Sequence, residues 1–243
     1  MSALTPMTLT TYDRPSAMPE APASAGLGEF PGQIVPGHPA RSPAKRAMDV
    51  VGALGGLILL GPLLAIVALL IRLDSPGPIL FRQRRMGLGG REFRCLKFRT
   101  MVPDAEQRMR DLEARNESSC GVLFKIKDDP RVTTLGRFLR RTSLDELPQL
   151  WNVLVGEMSL VGPRPLQLRD SEKLEGLDPE AYGRRLAVMP GLTGPWQVGG
   201  RSDADCGKMV RLDLDYVENW SIATDLEILV KTVAVVLEGR GAC

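Results

Sequence analysis

Asp145 and Glu146 stand side by side in the stretch Ser143-Leu-Asp-Glu-Leu-Pro-Gln-Leu150, with Arg140 and Arg141 just upstream and Gly162-Pro-Arg-Pro165 downstream. Adjacent carboxylates near arginines are the tools of phosphoryl chemistry. An ionised Asp attacks without a histidine to deprotonate it, Mg²⁺ takes oxygen ligands, and a guanidinium grips phosphate with two N–H groups. Arg164 is flanked by Pro163 and Pro165, which limit its backbone. The only histidine, His38, lies in a proline-rich N-terminal stretch, which argues against histidine acid/base catalysis in the folded part. A structural reading competes. Ser143-x-x-Glu146 matches a capping box, and Asp145 ahead of Pro148 is itself a good N-cap for the helix marked by Leu147, Leu150, Trp151 and Leu154. Either way both carboxylates would lie at the positive end of a helix dipole, which favours their ionised form.

The net charge of the 243 residues is only +2, yet Arg82, Arg84, Arg85, Arg91, Arg94, Lys97 and Arg99 crowd between residues 79 and 101, opposed by Glu92 alone. Such a patch suits phosphate, anionic lipid or nucleic acid. RNA binding would want more aromatic residues among the cations than Phe81, Phe93 and Phe98. Cys95, Cys120, Cys206 and Cys243 show no C-x-x-C spacing, so neither a disulfide framework nor a zinc site is indicated and a reducing compartment fits.

The positioning elements follow from the rest of the pattern. Residues 1–43 are rich in Pro, Ala, Ser and Gly and read as a disordered tail, with the apolar segment starting too late for a signal peptide. Residues 50–71 form 22 positions without a charge, long enough for a membrane segment. Gly61-Pro62 interrupts its middle, so a kink is expected, leaving two legs too short to span about 30 Å of hydrocarbon. Lys45 and Arg46 before it and Arg72 after it place both ends on the cytoplasmic side by the positive-inside rule. A re-entrant helix satisfies both facts; an ordinary kinked spanning helix is the alternative. Residues 79–85 and 91–99 around Met86-Gly-Leu-Gly-Gly90 read as a β-hairpin whose glycines serve the turn, since no P-loop spacing is present. A polar helix over 103–115, an interfacial helix over 135–141 with arginines toward lipid phosphates, a helix over 208–219 and an apolar one over 226–237 complete the pattern.

The stretches KFRTM, TSLDELPQLWNVLVGEMSLVGPRP, PGLTGPWQVGGR and LDLDYVENWSIATDLEILVKT resemble, in order and from about Lys45 to the C-terminus, the bacterial sugar transferase family of polyprenol-phosphate phosphoglycosyl transferases. The resemblance implies an α/β (α+β) fold in a monotopic arrangement. A tail over 1–43 would precede one domain over 44–243, divided into a re-entrant helix over 44–73, hinged at Gly61 and Pro62, and a cytoplasmic-face catalytic part over 74–243 at the bacterial inner membrane. It also implies the reaction: sugar-1-phosphate passes from a UDP-sugar to undecaprenyl phosphate, and UMP is released. By that resemblance Asp145 is the nucleophile that forms an aspartyl-phosphosugar and Glu146, with Asp145, holds Mg²⁺. Lys97, Arg99, Arg140, Arg164 and Arg201 become candidates for phosphate, nucleotide or lipid-phosphate contacts. The family usually reads Gly-Arg-Asn where this chain has Gly200-Arg201-Ser202, and often Ser-Pro where it has Gly61-Pro62.

The C-terminal KTVAVVLEGRGAC looks closer to members that start exopolysaccharide or O-antigen repeats with glucose or galactose, and the chain resembles the family's minimal catalytic form. Membrane lipid is an implied partner, nucleic acid is not, and a homo-oligomer is compatible with the sequence. Two other readings stay open from the residues alone. A membrane-anchored binding protein for lipid or nucleic acid leaves Asp145-Glu146 without a role, and a Mg²⁺-dependent phosphohydrolase would use water as acceptor.

Overall fold

The computed structural model describes residues 42–112, 122, 126, 128–199 and 206–238; the proline-rich stretch before them and Arg201 lie outside the described residues. Helix α1 (Pro43–Asp74) has 32 residues. Ser42 accepts a hydrogen bond from the Lys45 amide at its start, and Pro43 falls in the first turn, where a missing N–H is harmless. Helical geometry continues through Pro62, so the two expected legs are joined in one element.

Both ends of α1 pack against the rest of the protein. Near its start, Lys45 donates to Asp225 (2.7 Å) and to the Val161 carbonyl (3.0 Å), and Asp49 accepts from the Ser159 hydroxyl and the Leu160 amide. Near its end, Val67 and Ile71 pack with Phe98 and Leu139. Between them an apolar surface is left uncovered: Ile58 is 71% exposed and Leu59 80%. Lys45 and Arg46, which the sequence offered as a topology signal, are engaged within the protein. Lys45 is buried, and Arg46 donates to the Val153 and Leu154 carbonyls.

Strands β1 (Leu80–Met86) and β2 (Glu92–Phe98) form the expected antiparallel hairpin, in register from Leu80 opposite Phe98 to Met86 opposite Glu92. Its turn uses glycine where only glycine is comfortable, at Gly89 (φ 62°) and Gly90 (φ 75°). After α2 (Ala105–Leu112) come α3 (Thr134–Arg141), a 3₁₀ turn (Leu144–Glu146) and α4 (Gln149–Val155). Then follow β3 (Ser159–Val161), α5 (Leu168–Leu177), α6 (Pro179–Arg185), β4 (Gly191–Thr193), α7 (Pro195–Val198), α8 (Cys206–Glu218) and α9 (Ile222–Glu238). β3 and β4 pair in parallel. Two small sheets among helices make the fold mixed, in keeping with the α+β expectation.

The largest core cluster joins Ala53 of α1, Phe93 and Cys95 of β2, Leu150 and Val153 of α4, Val161 of β3, Tyr216 and Val217 of α8, and Ile228 of α9. Asn152 of α4 also binds the open edge of β2. Its side-chain oxygen accepts from the Leu96 amide (3.0 Å), and its amide donates to the Arg94 carbonyl (2.9 Å). The side chain thus takes the place of a third strand and fixes β2 against α4. α9 keeps Asp225 and Ile228 inside, while Leu226, Val230, Val233 and Leu237 form an exposed apolar stripe.

Candidate active site

Phe93, Cys95 and Lys97 alternate onto the inward face of β2, and the first two are core residues. Lys97, next along that face, therefore points inward with its ammonium at the 3₁₀ turn and donates to Glu146 Oε1 at 2.7 Å. Arg164 reaches the same oxygen at 3.0 Å from the loop after β3. Both ion pairs are largely shielded from water, with Glu146 and Lys97 side chains each 15% exposed.

Arg140 arrives from a third direction. Thr133 caps α3 by accepting from the Gly136 amide (2.9 Å), and Gly136 lies directly on the Thr100 carbonyl. A residue four positions on shares that face, so Arg140 also turns toward Thr100, donating to its hydroxyl at 3.0 Å beside Asp145. This corrects the expectation of lipid-facing arginines for Arg140 alone; Arg137 and Arg141 are exposed, as is the apolar Phe138.

Asp145 is buried, at 8% exposure. Burial pushes its carboxyl above the usual range; Lys97, Arg140 and Arg164 pull it down, and the neighbouring Glu146 pushes it up. Burial also lowers the Arg140 pKa, while the Glu146 carboxylate raises that of Arg164. The charge of Asp145 is thus supported by three cations from three elements. The helix-dipole expectation is replaced, because α4 begins at Gln149 and Pro148 occupies its cap.

The capping box is not formed. Ser143 makes no side-chain cap bond and sits at φ 55°, the one positive-φ non-glycine residue among those described. It marks the reversal that swings the chain from α3 back under β2. The Glu146 carboxylate bonds Lys97 and Arg164, and no described side chain donates a hydrogen bond to Asp145. Among the described residues, Asp145 is therefore the member of the pair whose oxygens meet no fixed donor.

The other sequence candidates fall elsewhere. Arg99 is buried and caps the end of α1, donating to the Ser75 carbonyl (2.6 Å) and hydroxyl (2.8 Å). Gly61 and Pro62 lie in the uncovered middle of α1, and a Cβ at Gly61 would meet nothing within 4 Å. The basic patch divides: Arg84 pairs with Glu92, Arg85 is buried and donates to the Pro165 carbonyl and to Gln83, and Arg82, Arg91 and Arg94 are exposed. In the sequence Arg85 is one charge of seven. Its position opposite the core residue Phe93 was the available signal that it faces inward.

Among the described residues no cluster of three or more His, Cys, Asp or Glu is placed to hold a metal. Two adjacent carboxylates nonetheless fit Mg²⁺, which takes one or two from protein and completes its shell with water and phosphate. Beside Arg164 is a small cleft lined by Met86, Ser171, Tyr182 and Arg185, which has room for about one water and none for a sugar nucleotide.

Asp145 and its largely shielded neighbour Glu146 thus stand among the ammonium of Lys97 and the guanidinium groups of Arg140 and Arg164, a set of groups suited to phosphoryl chemistry. A model of the family described as bacterial sugar transferase matches residues 40–239, and this chain belongs to that family. It is 46% identical over 200 residues to the galactosyl transferase CpsE of Streptococcus agalactiae serotype III, covering 82% of this chain and 43% of that one. The exopolysaccharide production protein ExoY of Sinorhizobium fredii is 42% identical over 202 residues, covering 82% and 88%. The UDP-glucose:undecaprenyl-phosphate glucose-1-phosphate transferase of Escherichia coli K12 is 42% identical over 194 residues, covering 78% and 39%. The chain thus spans about two fifths of the first and third relatives and most of the second.

Proposed function

We propose that this chain transfers sugar-1-phosphate from a UDP-sugar to undecaprenyl phosphate, through a covalent intermediate on Asp145. The observation that carries this reading is the division within the pair: Glu146 is held by Lys97 and Arg164, while Asp145, shielded from water, faces cations without being tied to a donor among the described residues. An Asp145 carboxylate oxygen attacks the phosphorus that bears the sugar; the bond from that phosphorus to the UMP oxygen breaks, and UMP leaves with the electron pair. An oxygen of the lipid phosphate then attacks the same phosphorus, the aspartyl bond breaks, and the carboxylate is restored. Lys97, Arg140 and Arg164 bind the negative oxygens and stabilise the charge that builds on them. Mg²⁺, held by Glu146 and Asp145, would supply further neutralisation of the diphosphate.

The same reading places the chain at the cytoplasmic face of the inner membrane in a monotopic arrangement. A spanning helix carries its ends to opposite sides of about 30 Å of hydrocarbon. Both ends of α1 instead meet one folded body, and the exposed apolar stripe of α9 adds a second surface suited to lipid. The sugar is a hexose, glucose or galactose; the relatives' names include both. Initiation of an exopolysaccharide is the matching pathway role, in line with the name of the ExoY relative.

The test is UMP release from each UDP-sugar with and without undecaprenyl phosphate. The native chain should release UMP in a lipid-dependent way and become labelled by radioactive sugar phosphate, and Asp145→Asn should do neither. Turnover retained by Asp145→Asn would remove the nucleophile assignment. Lipid-independent phosphate release would favour a hydrolase.

A further inference from the structure

The loop carrying Arg164 has prolines at 163 and 165, which offer no N–H, so the carbonyls become its main backbone handles. They are held from three elements, β4, β1 and α6. The Gly191 amide donates to the Pro163 carbonyl (2.9 Å), the Met86 amide to that of Leu166 (3.1 Å), and the Arg85 guanidinium to that of Pro165. The Arg164 carbonyl itself accepts from Arg185 Nη2 at 3.0 Å. Arg185 ends α6 and is buried, and its Nε and Nη2 both bond Asp213 Oδ2, at 3.0 and 2.7 Å. Asp213, on α8, is 0% exposed, and its other carboxylate oxygen has no partner.

A buried ion pair is a poor stability device, since well-packed apolar residues often serve as well. One oxygen left without a bond makes this pair a poorer one. What the arrangement does well is aim: with two N–H groups committed to one carboxylate oxygen, the guanidinium plane is fixed and its remaining direction meets the Arg164 carbonyl.

We propose that Arg185 and Asp213 are positioning residues for the reacting centre, Asp213 orienting Arg185 and Arg185 holding the Arg164 backbone so that its guanidinium meets Glu146. This rests on the reading of Asp145 and Glu146 as the reacting pair. Neither residue touches substrate in this scheme. Arg185→Lys keeps the charge but loses the planar fork, so one head cannot serve both acceptors.

Two measurements on the full chain in lipid nanodiscs test the relay. The first is a kinetic cycle of Arg185→Lys, Arg164→Ala and the double variant. Arg185→Lys should lower kcat about 10- to 100-fold, as expected of an ångström-scale misplacement, with KM for the UDP-sugar changed less than about threefold. The double variant should match Arg164→Ala within about threefold, because a residue acting through another adds nothing once that other is gone. Multiplied effects would overturn the relay. The second is amide hydrogen exchange, which needs no turnover. Arg185→Lys and Asp213→Asn should speed exchange at residues 162–166 while α8 keeps its protection; unchanged loop exchange overturns the relay whatever the reaction. If the native chain releases no UMP, the functional reading fails and the exchange result alone decides on the relay.

Discussion

Gly136→Ala turns a single methyl group into a test of how the site is assembled. A Cβ built at Gly136 lies 2.0 Å from the Thr100 carbonyl oxygen and 2.8 Å from its carbon, both backbone atoms that cannot rotate away. Ordinary contact is about 3.4 Å, so α3 must retreat by about 1 Å or more. The Arg140 Nε to Thr100 Oγ1 bond, 3.0 Å long, then opens beyond hydrogen-bond range. A strained contact costs about 1–3 kcal/mol and a broken buried hydrogen bond about 1–3 more, against a gain of about 0.5–1 from alanine's helix propensity. The net loss is roughly 2–5 kcal/mol, or about 5–15 °C in Tm for a chain of this size. Activity should fall on the order of 10²-fold, since Arg140 withdraws from Asp145. Gly176→Ala in α5 is the control, because its Cβ would meet nothing within 4 Å and should raise Tm slightly. UMP release and thermal unfolding of the two variants are the assays. Equal Tm and equal turnover for Gly136→Ala and Gly176→Ala would refute the account of how α3 aims Arg140.

Because burial raises the Asp145 pKa, the ionised nucleophile is lost as pH falls through a value above the ordinary 3.9 or so, and kcat/KM should show an acid limb there. Lys97 is the largest influence lowering that pKa, so Lys97→Met should move the limb to higher pH; a limb that stays in place would deny the coupling. Ser143→Gly relieves a positive φ and should raise Tm by about 1–3 °C with activity kept, whereas a genuine capping serine would give a small loss. In a cysteine-free background, Ala44→Cys and Asp74→Cys should both be labelled only from the cytoplasmic side of oriented vesicles; labelling of either from the opposite side would restore a spanning helix.

The hairpin, the apolar helix and the carboxylate pair were legible because each has a local signal: alternation with a glycine turn, a long uncharged run, and two acids before a proline. The outcome for Ser143 and Glu146 was not, because a capping box and a pair of ligand-like acids share one spacing. Only the nearness of Lys97 and Arg164, far off in sequence, decides between them. Lys45 and Arg46, a topology signal in the sequence, and Arg85 and Arg99, part of its basic patch, turn out to bond carbonyls and carboxylates of the protein itself. A guanidinium has several donors in a plane, so it can cap a helix end or staple a loop as readily as hold phosphate. Nothing in the sequence alone distinguishes those uses. Asp213 lay within the quoted LDLDYVENW stretch without an assigned role, Arg185 stood outside every quoted stretch, and their pairing is tertiary.

The apolar helix at the start of the chain supplies Ala53 to the main core and Val67 and Ile71 to another, and its Lys45 neutralises the fully buried Asp225. Removing it would open two cores to water and strand a carboxylate inside the protein. It is therefore a structural member of the folded body, and a cut at its end would leave the remainder without part of its core. The helix that presents Ile58 and Leu59 outward also ties both cores together, so whatever covers that surface bears directly on the packing of the body.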